Sequence, residues 1–183
     1  MSGVLLVAAT ERELDGRVGL VCGIGPVEAA AATARALALQ PAAAVLHIGV
    51  AGGRGLAPGT LVIGAEAVYC DLAAAIALIG REPADARLVA VAQVSLPGAL
   101  TLPIGTSAAV GSVGQDVAIE AMEGFGVLRA ARLAGVPAIE IRAISNEIGD
   151  PDRARWQIAE GISALSAVTS ALPSRPCCAT SSR

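Results

Sequence analysis

Polar residues directly follow apolar runs at several places in this sequence, and two glutamates near the N-terminus come first. The apolar residues 4–9 are followed by Thr10 and then by Glu11 and Glu13. Ligands of α/β proteins bind beyond the carboxyl ends of strands, so a carboxylate here could act as a general base at the mouth of a pocket. The alternative is that these acids only cap a following helix, whose dipole favours negative charge at its start. The segment by itself leaves both interpretations open.

A further glutamate, Glu123, stands among apolar residues. Its neighbours Met122, Phe125 and Val127 favour a buried position, although a lone glutamate is usually at the surface. Burying a carboxylate is costly unless it is hydrogen-bonded. Each of its two oxygens can accept from a hydroxyl, so a buried Glu123 could bind the two vicinal hydroxyls of a sugar.

A late apolar segment ends in Ser145 and Asn146 and carries Glu140 and Arg142 two residues apart. Residues at this spacing share one face of a strand, so that face is predicted to be polar. The simplest structural explanation is an edge strand with an internal ion pair. The alternative is that the polar end of this strand contributes to a site.

Two glycine-containing segments, 23–25 and 49–53, also follow predicted strands. The first lacks the third glycine of the dinucleotide-binding fingerprint, so a tight turn is the better interpretation. The second is predicted to be a loop whose small residues let a flat ligand lie close to the backbone. The single histidine, His47, lies in an apolar run, so we expect a structural role for it. No cluster has metal-ligand spacing, and we expect neither a metal nor another cofactor.

Alternating strands and helices must position these residues. The predicted strands are 4–9, 18–22, 44–48, 61–69, 87–94, 100–104 and 138–145. The predicted helices are 27–39, 120–134 and 151–171. This alternation implies βαβ units and a largely parallel or mixed sheet. Residues 1–172 are expected to form one α/β domain and residues 173–183 a flexible tail.

Composition excludes several classes of protein. Of 183 residues, 54% are hydrophobic and only 2% are aromatic. No apolar stretch reaches the roughly 18 residues that a membrane-spanning helix needs, and no basic segment precedes the N-terminal apolar run, so no signal peptide is expected. A net charge of -3 and a pI near 5.1 argue against nucleic acid as a partner. The cysteines form no C-x-x-C pair, which indicates reduced thiols and a cytoplasmic location.

Five segments, in order along the chain, resemble the purine nucleoside phosphorylase and nucleosidase superfamily. They read VAATERE, CGIGPVEAA, HIGVAGG, EAMEGFGV and VPAIEIRAISN. Within the superfamily, the stretch IRAISNEIGDPDRARW is most similar to the futalosine hydrolases. The resemblance covers residues 1 to 170 and implies a three-layer α/β/α sandwich around a mixed, partly barrelled central sheet. The region 72–114 looks shortened relative to the family.

The resemblance implies roles for individual residues in cleaving an N-glycosidic bond. Glu13 matches the carboxylate that activates water, and Glu123 matches the glutamate that holds the ribose hydroxyls. Asn146 matches the residue that contacts the purine base. The further matches are Met122, which packs on the ribose, Arg142, a supporting arginine, and Ala51 and Gly52, whose backbone lies beside the nucleoside.

Asn146 bears on the identity of the base. Methylthioadenosine/S-adenosylhomocysteine nucleosidases have an aspartate here, which accepts from a 6-amino group. An asparagine can accept from N7–H and donate to a 6-oxo oxygen, as in hypoxanthine. The resemblance therefore implies hydrolysis of futalosine by water, with release of hypoxanthine and dehypoxanthine futalosine, in menaquinone biosynthesis. Since asparagine is a poor acid, Asp150 is a candidate source of the proton for the leaving base.

Three other functions stay open. They are a nucleosidase for adenine nucleosides, which Asn146 disfavours; a purine nucleoside phosphorylase, with Arg54 as candidate phosphate ligand; and a degenerate nucleoside-binding homologue. The last is suggested by the middle segment, because family members place a base-stacking aromatic there and this chain has Thr106, Ser107 and Ala108. A neighbouring subunit often completes the family's pocket, so the expected partners are a small nucleoside, water and, in a homo-oligomer, a second copy of the chain.

Overall fold

The computed structural model describes residues 3–72, 80–111 and 116–172. The predicted tail, 173–183, lies outside these ranges, as do part of the region 72–114 and the cysteines Cys177 and Cys178. Among the described residues, none of the helices combines the length and hydrophobicity needed to cross a bilayer.

The secondary structure of the described ranges alternates as expected for an α/β protein. The strands, β1 to β8, are Val4–Ala8, Leu20–Val21, Ala44–Gly53, Leu61–Tyr69, Arg81–Pro83, Leu100–Thr106, Ile119–Ala121 and Ala138–Glu147. The helices, α1 to α5, are Glu11–Leu14, Pro26–Leu39, Ala86–Ser95, Gly124–Leu133 and Ile158–Ala171, and a 3₁₀ turn covers Arg153–Arg155.

Five of these strands close into a ring. The order β3-β7-β6-β4 is completed by β8, which pairs with both β4 and β3. Strands β1 and β2 extend the sheet beyond β3, and β5 extends it beyond β4. Pairing is parallel between β3 and β8 and antiparallel between β4 and β8. The sheet is therefore mixed and partly barrelled, as the resemblance implied.

Helices cover the sheet on two sides. One hydrophobic cluster joins the sheet to α1, α3 and α5 through Leu14, Ala92 and Leu165. The other joins it to α2 and α4 through Ala29 and Val127. The three-layer α/β/α arrangement is confirmed. Both interfaces are built mainly from Ala, Val, Ile and Leu, and the second also contains Cys22 and Phe125.

Small residues let the two helices of one layer approach closely. A Cβ added at Gly126 of α4 would lie 2.4 Å from the carbonyl oxygen of Pro26 at the start of α2. Proline suits this first helical position, because its missing N–H would have no partner within the helix. The preceding Gly25 has a φ of 97°, a conformation that residues with a side chain rarely adopt.

Strand β8 is central to the sheet, so the edge-strand interpretation is wrong. It pairs with β3 along its length and with β4 on its other side. The predicted ion pair is present, with 2.7 Å between Nε of Arg142 and Oε1 of Glu140, and both side chains are fully buried. These charges therefore lie inside the molecule, where they have to be compensated locally.

Three local predictions are also wrong. Residues 87–94 belong to helix α3, which Asp85 caps by accepting from the N–H groups of Arg87 and Leu88. Residues 49–53 continue strand β3 and form no loop. The predicted helix 120–134 divides into strand β7 and helix α4, which begins only at Gly124. In each case apolar composition fits either structure, and the neighbouring strand or cap decides.

Candidate active site

A cavity of about 460 Å³ opens beyond the carboxyl ends of β1 and β8, and residues of β3 and β7 and of helices α1 and α5 also form its wall. Six of the residues singled out from the sequence line it: Glu13, Ala51, Gly52, Met122, Glu123 and Asn146. Arg142 does not line the cavity. Residues far apart in the sequence thus meet where ligands of α/β sheets usually bind.

The carboxylate of Glu13 is held by the short helix that contains it. Its Oε2 accepts from the N–H and the hydroxyl of Thr10, at 3.0 and 2.9 Å, which completes a capping box. Its Oε1 accepts from the N–H of Val50 in β3 at 3.1 Å. A carboxylate has about four acceptor positions, so three are used and one is left toward the cavity. The glutamate that completes the capping box with Thr10 is therefore also the candidate base.

Glu123 is the N-cap of α4. It therefore lies just before the helix, and not within it as the predicted helix 120–134 implied. It is 4% exposed. Its Oε1 accepts from the N–H of Gly25 at 3.3 Å, and its Oε2 accepts from Nη2 of Arg142 at 3.1 Å. The turn at 23–25, expected to be only structural, thus supports this carboxylate. One acceptor position remains on each oxygen, which suits two adjacent hydroxyls.

Arg142 lies behind the cavity and joins two buried carboxylates. Its side chain forms ion pairs with Glu140 of β8 and with Glu123 at the start of α4. Its Nη1 donates to the carbonyl of Val50 at 3.4 Å. Burial alone would lower the pKa of Arg142, but Glu140, Glu123 and Glu13 together raise it. The guanidinium stays charged and acts on the cavity through Glu123, so its place is that of a positioning residue.

His47 fixes the other side of this guanidinium. Its Nδ1 lies 3.2 Å from the carbonyl oxygen of Val7, and its Nε2 lies 2.5 Å from Nη2 of Arg142. Since a carbonyl only accepts and a guanidinium only donates, Nδ1 carries the proton and Nε2 accepts. Burial, and next the charge of Arg142, lower the pKa of His47 well below its ordinary value. The histidine is neutral and structural, as predicted, and it supports Arg142 behind the cavity.

Gly49 lies against the side chains of both Arg142 and Glu13. A Cβ there would lie 2.1 Å from Nη1 of Arg142 and 2.7 Å from Oε1 of Glu13. The neighbouring Gly52 is less crowded, at 3.1 Å from Ile148 and 3.2 Å from Nδ2 of Asn146. The small residues of β3 therefore make room for buried charged side chains as well as for a ligand.

A bulge in the β3–β8 pairing directs Ser145 and Asn146 toward the site. Ala51 pairs with Ile144 and Gly52 with Asn146, so Ser145 is the extra residue. The Ser145 hydroxyl lies 2.8 Å from Oδ1 of Asn146, and Nδ2 of Asn146 donates to a backbone carbonyl at 3.1 Å. The amide oxygen keeps one acceptor position and the amide nitrogen one N–H, which is the pattern expected for a 6-oxopurine.

Two of the more distant candidates are engaged elsewhere. Asp150 does not line the cavity, and a hydrogen bond from Arg155 lowers the pKa of its carboxyl, so it is a poor proton source. Arg54 does not line the cavity either, and its Nε donates to the carbonyl of Val117 at 3.2 Å. In the described ranges, no group of three or more His, Cys, Asp or Glu side chains could hold a metal ion.

The cavity also contains residues that the sequence analysis did not single out for the site. Trp156 lines it, although the aromatic was sought at 106–108, where Thr106 instead accepts from the N–H of Phe125. Arg12 and Arg153 line it as well. A sequence signal for Arg153 and Trp156 existed, because both belong to the segment 141–156 that resembles the futalosine hydrolases.

A sequence profile of the Phosphorylase superfamily matches residues 13–172. A futalosine hydrolase of Streptomyces coelicolor is 36% identical over an alignment 180 positions long, and the match covers 82% of this chain and 76% of that protein. A futalosine hydrolase of Thermus thermophilus is 32% identical over an alignment 183 positions long, and the match covers 82% of this chain and 78% of that protein.

Solved structures with the same fold include two nucleosidase types. A methylthioadenosine/S-adenosylhomocysteine nucleosidase of Colwellia psychrerythraea has a TM-score of 0.81 at 21% identity, covering 92% of this chain and 93% of that one. A futalosine hydrolase mutant of Helicobacter pylori has a TM-score of 0.78 at 16% identity, covering 94% and 100%. These structural matches establish the fold, and the sequence relatives establish the family. The chain belongs to the Phosphorylase superfamily and, within it, to the family of the futalosine hydrolases.

Proposed function

We propose that this protein hydrolyses the N-glycosidic bond of futalosine, releasing hypoxanthine and dehypoxanthine futalosine. Both sequence relatives above are named futalosine hydrolases. The observation that carries the proposal is the state of the two cavity carboxylates: Glu13 has one acceptor position left and Glu123 has one on each oxygen. One position suits a water molecule, and two suit a pair of ribose hydroxyls.

The charge of the cavity fits the reaction. Breaking the bond between C1′ and the purine develops positive charge on the ribose, as in glycoside hydrolysis. Glu123 would hold the hydroxyls and stabilise that charge, and Glu13 would orient water and take its proton. Arg142 and Gly25 hold the Glu123 carboxylate in place, so little reorganisation is needed when the charge develops.

Asn146 would select the base. Its free acceptor position and its second N–H match the N7–H and the 6-oxo oxygen of hypoxanthine. The backbone beside Ala51 and Gly52 and the side chain of Met122 would pack against the nucleoside. A proton for the leaving base would have to come from water, since Asp150 is held by Arg155.

Water is the better nucleophile for this site. A phosphorylase needs cationic donors around phosphate next to C1′. Here that region is bordered by Glu13 and Glu123, and the N–H of Gly25 is donated to Glu123. The two carboxylates would repel a phosphate dianion.

Base release from futalosine in phosphate-free buffer tests the proposal. The wild-type chain should release hypoxanthine at a rate that added phosphate does not raise, and Glu13→Gln should lower kcat by about 10²–10⁴, the usual contribution of a general base. Glu11→Gln is the matched control, because Glu11 is exposed on the same helix and does not line the cavity.

Other outcomes identify the alternatives. Phosphate-dependent turnover would indicate a phosphorylase, and preferential release of adenine from methylthioadenosine would overturn the assignment of Asn146. Binding of futalosine without turnover would indicate a degenerate nucleoside-binding protein. Equal activity of Glu13→Gln and the wild type would remove Glu13 from the mechanism.

The setting of the enzyme is part of the proposal. We place the reaction in the cytoplasm and in menaquinone biosynthesis, on the strength of the futalosine assignment. We also propose a homo-oligomer, because Ile24 borders the cavity while 61% exposed and Val27 nearby is 76% exposed. Light scattering coupled to size exclusion would test this, and a monomer at assay concentration would contradict it.

A further inference from the structure

Two arginines of the cavity have no charged partner within the described ranges. Arg12 and Arg153 line it, and neither side chain makes an ion pair or a hydrogen bond with any residue that the structure describes. Most other arginines of the described ranges do lie within 4 Å of a carboxylate: Arg17, Arg81, Arg129, Arg132, Arg142 and Arg155. The cavity thus combines inner carboxylates with uncompensated positive charge.

An aromatic wall adjoins this positive charge. The guanidinium carbon of Arg153 lies 5.5 Å from the centre of the Trp156 ring, a cation–π arrangement. Trp156 is itself fixed, because its Nε1 donates to the carbonyl of Asp150 at 3.3 Å. Ile158 and Ile162 of α5 continue the apolar surface. A flat apolar group could lie on this wall with an anionic end beside the guanidinium groups.

The position of this wall follows from the assignments made above, on which the inference rests. Glu123 is assigned to the ribose hydroxyls, Glu13 to the water at C1′, and Asn146 to the base. The part of the nucleoside without an assigned partner is the substituent on C5′. The exposed charged residues of the cavity lining are Arg12 and Arg153. Both are exposed, as a subsite at the end of an extended ligand has to be.

We propose that Arg12, Arg153 and Trp156 form a subsite for a carboxylate on an aromatic group carried by the 5′ substituent of the nucleoside. A planar guanidinium matches a carboxylate with two parallel hydrogen bonds. The indole provides stacking area for the ring, and the two arginines approach its anionic end. The subsite selects a 5′-extended acidic nucleoside over one that ends at the 5′-hydroxyl.

Futalosine, whose 5′ chain ends in a benzoate, and its neutral methyl ester are the probes. Affinity by calorimetry and kcat/KM for base release are measured with the wild type, Arg12→Gln and Arg153→Gln. The wild type should prefer the acid over the ester, and each substitution should lower that preference roughly tenfold, the scale of a charge-assisted hydrogen bond. Arg87→Gln is the control, because Arg87 is exposed on α3 and does not line the cavity.

The two readouts separate the two proposals. If futalosine is turned over but acid and ester behave alike, the subsite is wrong and the proposed function stands. If the acid binds better than the ester in an arginine-dependent way and no base is released, the proposed function is wrong and the subsite stands. Absence of binding of either probe overturns both. An equal loss of preference in Arg87→Gln would show a long-range charge effect and contradict a local subsite.

Discussion

Replacement of Arg142 by methionine should destabilise the protein strongly, because it leaves buried carboxylates without their partner. Arg142 is 0% exposed and bonds both Glu140, which is also 0% exposed, and Glu123. The second oxygen of Glu140 has no hydrogen-bond partner among the residues that the structure describes. Methionine fills most of the volume of the lost side chain, so the change removes charge more than packing.

The magnitude follows from the burial. Breaking a buried ion pair by removal of one partner costs about 3–5 kcal/mol, a large part of a total stability of about 5–15 kcal/mol. For a chain of this size, each kcal/mol lowers Tm by about 2–4 °C, so the expected decrease is about 6–20 °C. Glu123 should contribute less to it than Glu140, since Glu123 borders the cavity and water can reach it.

Thermal denaturation by circular dichroism measures the effect, with Arg155→Met as control. Arg155 also faces two carboxylates, Asp150 and Asp152, but at the surface, where ion pairs contribute little. Adding Glu140→Leu to Arg142→Met should restore part of the loss, because an apolar pair replaces a lone charge. A decrease in Tm no larger than that of Arg155→Met, or no recovery in the double variant, would refute the reasoning.

The pH dependence of the stability of Arg142→Met provides a second test. Burial raises the pKa of Glu140 in the folded protein, and Arg142 opposes that rise. Without Arg142 the carboxyl protonates at still higher pH, and the protonated form is the one that burial favours. The stability that the variant has lost should therefore return in part as the pH falls from 8 to 5. An unchanged deficit across this range would indicate that lost packing is the cause.

Three further outcomes are expected. Burial and Arg142 keep His47 neutral in the fold, so the unfolded chain alone takes up its proton below pH ~6.5, and wild-type stability should fall by up to about 1.4 kcal/mol per pH unit. His47→Gln should lack this loss. Denaturant unfolding that shows the same change in unfolding free energy between pH 7 and pH 5 for both proteins would contradict it. Asn146→Asp should shift kcat/KM from futalosine toward its 6-amino analogue by roughly 10- to 100-fold, equivalent to about 1–3 kcal/mol for one mispaired buried group, which competition between the two substrates would measure. Gly124→Ala should lower the unfolding free energy by about 1–3 kcal/mol despite the better helix propensity of alanine, because its Cβ would lie 2.0 Å from Oε2 of Glu140; a stabilised variant in urea denaturation would be inconsistent with the buried carboxylate.

Local patterns predicted the elements that have clear stop signals. Helix α2 was expected at 27–39 and is Pro26–Leu39, between a glycine turn and a proline. Strand β4 was expected and found at Leu61–Tyr69. The segment 87–94 was assigned wrongly because Leu, Val and Ala suit a strand as well as a helix, and the decisive residue, the cap Asp85, precedes the apolar run.

The sequence indicated several residues of the candidate site, but not which residues lie behind the cavity or form its aromatic wall. The sequence indicated Glu13, Glu123 and Asn146, and all three line one cavity. It could not show that Arg142 lies behind the cavity, because period-two spacing gives the face of a strand and not what covers that face. The segment 141–156 contained Trp156, but the sequence could not show that its side chain contacts the cavity, since this depends on how the chain turns after β8.

Strand β8 also has a consequence for the order of events during folding. It is the late strand that joins β3 to β4, and the contact between His47 and Arg142 closes a loop of 95 residues. Until it docks, β3 and β4 each present an unpaired edge, the kind of surface on which chains associate wrongly. Such long-range closure is slow, and it is also the step that brings Arg142, Ser145 and Asn146 to the cavity. The binding site and the closed ring therefore depend on the same strand pairing, so a ligand of the cavity would stabilise only molecules in which β8 has paired with β3 and β4.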